Sequence, residues 1–144
     1  LEHIGLTSHF LLKLIDKGTE KALRNHHNLS VAMLVEAYTF DLSRVDAFGA
    51  HKSFAWIRPE HMEPTGEKPE AEVQAQLIEQ MQRCLTQLGR MPNGEGLIQK
   101  ITMSVNDLGK INVYEYIYFL SKHAERHLQQ MEENKREFHA RSAD

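Results

Sequence analysis

Apolar residues recur at helical steps in three long stretches of the chain. In the first, Leu1, Ile4, Ser8, Leu11 and Ile15 fall on one helical row, with His3, Thr7, Phe10 and Leu14 on the row beside it. This predicts a helix over residues 1–24 with a broad inward face. Gly18 weakens that helix without ending it, and the polar run from Arg24 to Asn28 breaks the pattern. In the second stretch Val73, Leu77, Met81, Leu85 and Leu88 repeat every three or four residues. Pro69 suits its first turn, Glu70 and Glu72 favour the positive end of the helix dipole, and Gly89 is the expected stop. The third is the best specified. Asn112 is a natural N-cap, Glu115 completes a capping-box pattern, and Ile111 and Tyr116 can form the apolar staple around it. Val113, Ile117, Leu120, Ala124, Leu128 and Met131 then line one side, with Tyr116, His123 and His127 beside them, to near Phe138. Residues Ala140 to Asp144 are expected to fray.

The segments between are less regular. Leu29, Met33 and Ala37 fit a short helix capped by Asn28 or Ser30, against which Val31, Val35, Tyr38, Thr39 and Phe40 weigh weakly. One or two short helical pieces with irregular links are expected over residues 29–52. The run from Trp56 to Gly66 contains Pro59 and Pro64 and reads as a fixed loop. Residues 90–111 are mixed, with Pro92-Asn93-Gly94 as a turn. There are no internal repeats. The expectation is an all-α chain, one domain over residues 1–144. Three long amphipathic helices are an awkward number for an up-and-down bundle, which a fourth helix would complete. Residue 1 is Leu, and it opens directly on an amphipathic pattern, so that fourth helix is expected upstream of Leu1.

Composition narrows the function. With 144 residues, 41% of them apolar and 26% charged, the chain has the make-up of an ordinary folded, soluble protein. A net charge of -3 supplies no basic face for nucleic acid and no attraction to an anionic membrane. The longest apolar runs, such as Val31 to Val35, are far short of a membrane span, and no signal peptide is visible. Cys84 is the single cysteine. It excludes an internal disulfide and a cysteine-built zinc site, and it fits a reducing compartment, so a cytoplasmic location is expected.

The sharpest chemical signal is His123-Ala124-Glu125-Arg126-His127. Histidines four apart stand one turn above the other on one helix face, so both imidazoles can reach one point. Helices grip zinc, nickel or iron this way. Glu125 points elsewhere, so the run is not the His-Glu-x-x-His metalloprotease motif. An isolated pair of this spacing is most often solvated. This pair adjoins the apolar stripe, where buried imidazoles need a ligand or hydrogen bonds to offset desolvation. His3, on the inward face of the first helix, is the best third ligand. His9 lies about 120° away around that helix. His26, His27, His51, His61 and His139 read as solvated histidines of loops and tail. Cys84 reads as a small buried apolar residue. Tyr114, Tyr116 and Tyr118 cannot share one face and read mostly as packing. The run from Glu132 to Glu137 reads as a solvated helix end. No nucleophile–base pair and no phosphate loop are visible.

Three pieces of the chain together resemble the DinB-like superfamily, in particular its YfiT-like branch. These are Leu1-Glu2-His3-Ile4; the loop Pro59-Glu60-His61-Met62-Glu63-Pro64-Thr65-Gly66; and Leu108 to Tyr116 running on to His123-Ala124-Glu125-Arg126-His127-Leu128-Gln129-Gln130-Met131. The last is the most specific, and the ordered trio spans nearly the whole chain. Residues 25–53 match poorly. The resemblance implies an up-down-down-up four-helix bundle whose first helix precedes Leu1. It implies one divalent metal ion (nickel, zinc, iron or manganese) held by His3, His123 and His127, and a homodimer. It further implies a bacterial, stress-related enzyme acting on a small molecule, a hydrolase or an S-transferase using a low-molecular-weight thiol. No catalytic residue is assigned. Two other classes stay open: a non-catalytic metal- or small-ligand-binding bundle serving as a sensor, stress or interaction module, and a metal-free dimerising bundle whose histidines only satisfy one another.

Overall fold

The computed structural model describes residues 1–26, 30–39, 41–50 and 60–141. Their regular elements are α1 (Glu2–Asn25), α2 (Val31–Ala37), α3 (Ser43–Asp46), α4 (Glu70–Arg90), β1 (Lys100–Met103), β2 (Gly109–Asn112) and α5 (Val113–Arg141). The chain is mostly helical, as its periodicity predicts. The departure from an all-α chain is the antiparallel β1–β2 hairpin, in which Ile101 faces Ile111 and Met103 faces Gly109. Its turn uses Asp107 (φ 53°) and Gly109 (φ 73°) in the left-handed region, which Gly, Asn and Asp tolerate best. Strands of four residues are too short for a two-residue period to stand out from the surrounding sequence.

The hairpin runs without a linker into α5. Asn112 ends β2 and caps the helix: Glu115 N donates to Asn112 Oδ1 at 3.0 Å, and Asn112 N donates to Glu115 Oε2 at 2.7 Å. This is the reciprocal box the sequence predicts. Glu115 Oε1 also accepts from the Tyr38 hydroxyl at 2.7 Å, which ties the end of α2 to the same cap. Helix α5 continues past Phe138 to Arg141, so Ala140 and Arg141 are helical; residues 142–144 lie outside the described residues. Helix α2 is capped by Ser30, whose Oγ accepts from Met33 N at 3.4 Å, and it has no buried residue. Asn28, Leu29, Phe40, Trp56 and Pro59 lie outside the described residues. Beyond them, Glu60–Met62 forms a single 3-10 turn and the chain to Pro69 is irregular.

Helix α1 is the centre of the packing. It lies against α4 on one flank and α5 on the other, while α4 and α5 touch each other little. Its inward face differs in detail from the predicted rows. Leu12 is fully buried and Leu14 is 40% exposed, because the buried arc runs through Ile4, Ser8, Leu12, Ile15, Thr19 and Ala22. Gly18 is a point of close approach rather than a weak spot. A Cβ there would lie 2.7 Å from Ile101 Cδ1 and 3.1 Å from Val113 Cγ2, so any larger residue would push the Ile101 and Val113 side chains aside. The core gathers Leu12, Ile15, Met91, Tyr116, Phe48 and Phe119, with the last two rings edge to face at 5.1 Å.

Helix α4 departs most from expectation. Of its predicted inward stripe only Val73 is buried, and Met81, Leu85 and Leu88 are exposed. The side turned to α1 is polar instead. Gln80 donates to Gly5 O at 2.8 Å, Gln87 to Asp16 Oδ1 at 2.7 Å, and Arg83 pairs with Asp16 at 2.5 Å. The rest of the stripe, Leu77, Met81, Leu85 and Leu88, together with Ile4 on α1 and Leu120 on α5, lines an open groove of about 490 Å³. Helix α4 starts at Glu70 with Pro69 as its cap residue, and passes through Gly89 to end at Arg90. Among the described residues, no helix is long and apolar enough to cross a membrane.

Candidate metal centre

Packing of α1 on α5 sets His3 against the histidine pair one turn apart on α5. The His3 ring centroid lies 5.4 Å from that of His123 and 4.9 Å from that of His127, and the α5 pair is 4.6 Å apart. All three contacts are edge to face. One ring nitrogen from each residue lies within 4.8 Å of the other two. His123 Nε2 and His127 Nε2 are 3.1 Å apart. Two nitrogens bound at about 2.0–2.1 Å to one tetrahedral ion lie roughly 3.3 Å from each other, so this pair stands near ligand spacing. The donor set, three imidazoles, is one that zinc, nickel and iron accept. His3, His123 and His127 are thus brought together as the sequence predicts.

Electrostatics keeps the α5 pair in the form a metal needs. Burial pushes His123 down to about 3, and the neighbouring His127, His3 and Arg126 act in the same direction. Burial lowers His127 as well, opposed by its hydrogen bond to Gln130. Both imidazoles are therefore neutral at pH 7, with a lone pair available. Arg126, between them in sequence, is also buried and donates from Nη1 to Ala50 O at 2.7 Å. Its charge is one reason the pair stays unprotonated.

A second layer holds the rings. His127 Nδ1 is 2.6 Å from Gln130 Oε1, and His3 Nδ1 is 3.1 Å from Met62 O. Met62 belongs to the loop that precedes α4, and Glu2 fastens that loop to the start of α1. The Glu2 carboxylate accepts from Gly66 N at 2.8 Å, and from Thr65 Oγ1 and N at 3.2 and 3.3 Å. These bonds, Gly66 N foremost, hold the Glu2 carboxyl below the usual carboxylate range. Gly66 takes a left-handed φ of 74° to present its N–H. Gln130, Glu2 and Met62 lie in the stretches that carry the resemblance, but their contacts with the histidines and the loop are visible only in the structure. Only Gln130 carries a usable signal, since it stands three residues after His127 and hence on the same face. A backbone carbonyl carries none.

The remaining candidates stay apart from the centre. His9 is exposed and edges onto Phe10, and His139 is exposed near the end of α5. His26 caps the end of α1. His27, His51 and the side chain of His61 lie outside the described residues. Glu125 points to solvent and pairs with Lys122 at 2.9 Å, as expected. Cys84 is half-buried on the wall of the groove rather than enclosed in the core, and burial pushes its thiol up, which disfavours the thiolate. The tyrosines serve packing. Tyr116 is buried, Tyr114 donates to Met91 O, and Tyr118 donates to Asp46. No protein-family model, no curated protein and no solved structure matches this chain.

Proposed function

We propose that this chain is a divalent-metal protein of the DinB-like kind, with His3, His123 and His127 as the ligands. The observation that carries the reading is the convergence of three imidazoles from two helices far apart in sequence. An all-histidine set leaves a bound ion its full positive charge, and such an ion favours the thiolate form of a thiol or the hydroxide form of water. The reaction class we assign is therefore thiol transfer or hydrolysis on a small molecule, with a low-molecular-weight thiol as cosubstrate in the first case.

The bundle reading is part of the same proposal. Helix α1 packs on both α4 and α5, which touch each other little, and in this reading the three stand as three corners of a four-helix bundle. The fourth corner is the apolar groove, and a helix there would complete an up-down-down-up bundle. A homodimer in a reducing, cytoplasmic setting belongs to the proposal too.

The test is elemental analysis of the full chain beside a His123→Ala, His127→Ala double variant. One zinc, nickel, iron or manganese ion per chain in the parent, absent from the variant, is the expected result. Metal in neither, with reconstitution also failing, overturns the reading. Turnover of the loaded protein on a panel of thiol–electrophile pairs and esters then separates an enzyme from a non-catalytic metal-binding bundle.

A further inference from the structure

The centre has more built into it than three ligands. A carbonyl oxygen only accepts a hydrogen bond, so the contact between His3 Nδ1 and Met62 O places a proton on that Nδ1. The amide oxygen of Gln130 does the same to His127 Nδ1. In a neutral imidazole the other nitrogen is then bare. Both contacts thus select the same tautomer, with the lone pair on Nε2. His127 Nε2 is the atom that meets His123 Nε2 at 3.1 Å, so the selected lone pair faces into the cluster.

Building on the metal reading above, we propose that Gln130 and the Met62 carbonyl are positioning groups. Each takes the Nδ1 proton of one histidine in a hydrogen bond and so presents a bare, correctly aimed Nε2 to the metal. The two halves are of different make. Gln130 is local, one turn beyond His127 on α5. The Met62 carbonyl comes from a separate loop and stays in place because Glu2 accepts three hydrogen bonds from Thr65 and Gly66. The acidic residue before His3 thereby fixes the loop that fixes the ring next to it. Groups of this sort raise ligand basicity and hold ring orientation, and their loss commonly lowers metal affinity about 10- to 100-fold.

The experiment uses the full chain with Gln130→Leu, Gln130→Glu and Glu2→Ala variants, and has two readouts. The first is the ring 15N shifts of His127 and His3 in the metal-free protein, which report the tautomer directly. The second is Zn2+ affinity from competition with a chromophoric chelator. In the parent, both rings are expected to carry the proton on Nδ1. Gln130→Leu is expected to lose that preference at His127 and to bind Zn2+ about 10- to 100-fold more weakly. Gln130→Glu keeps the acceptor and is expected to restore both, a rescue that a mere packing role would not produce. Glu2→Ala is expected to release the His3 tautomer with a smaller loss of affinity. An unchanged tautomer and affinity in Gln130→Leu overturns the Gln130 half while the metal reading stands. A His3 ring unaffected by Glu2→Ala overturns the Met62 half. A parent chain that binds no Zn2+ overturns the inference and the metal reading together.

Discussion

The histidine end of the molecule and the groove along its side invert the usual distribution of polarity. At the first, a polar cluster is buried or half-buried between α1 and α5, and His123 is only 1% exposed. At the second, Met81 and Leu85 stand more than half exposed on α4. At the polar end His3 and His127 find hydrogen-bond partners in the Met62 carbonyl and Gln130, and the two α5 rings meet at Nε2. The apolar side is open because α4 presents Gln80, Gln87 and Arg83 to α1, where Gly5 and Asp16 receive them. Burial in this chain therefore follows the supply of partners as much as the hydropathy of single residues.

The contrast can be broken from either side. The largest effect is expected at the histidine end. With free Zn2+ at a hundredfold excess over its dissociation constant, the folded state should gain about 2.7 kcal/mol in chemical denaturation, a gain absent from His123→Ala, His127→Ala. Equal stability with and without metal would leave the cluster a set of packed rings. The α1–α4 interface comes next. Gln87→Leu removes the bond to Asp16 and the Oε1 that accepts from Arg90 at 3.0 Å. It should lower unfolding free energy by about 2 kcal/mol, since hydrogen bonds to charged groups are the stronger kind. No loss would mean that the helices are held by other contacts. The smallest effect is expected in the groove. Leu85→Lys should change stability by no more than about 0.5 kcal/mol in this chain while reducing binding of an apolar dye. A loss above about 2 kcal/mol would show the groove filled in solution, and the contrast between the two regions would disappear.

Legibility in the sequence follows the same division. The α5 cap, the facing of His123 and His127, the short capped piece at Ser30 and the loop before α4 are all readable, because each depends on local spacing. His3 is readable as a neighbour of the α5 pair because it shares the inward side of α1. The orientation of α4 is not. Its apolar period marks a stripe, and periodicity alone does not distinguish a stripe turned to the core from one turned to an open groove. Gln80 and Gln87 stand inside because Gly5 O and Asp16 lie opposite them, partners that local spacing does not announce. The hairpin escapes because its strands are shorter than the period needs, although Lys100–Met103 does alternate. The role of Glu2 escapes because its partners lie in a loop more than sixty residues away.

The direct join of β2 to α5 has a consequence for how the centre comes into being. Hairpin, cap box and the first turns of α5 are built from contacts close in sequence, which close quickly and at low entropic cost. His123 and His127 ride on that unit and face the same way as soon as their helix turn exists. His3 reaches them only when α1 packs on α5, a contact of long sequence separation with a larger loop-closure cost. Two rings of the cluster are thus set by local structure, and the third joins them only through the tertiary packing of α1 on α5.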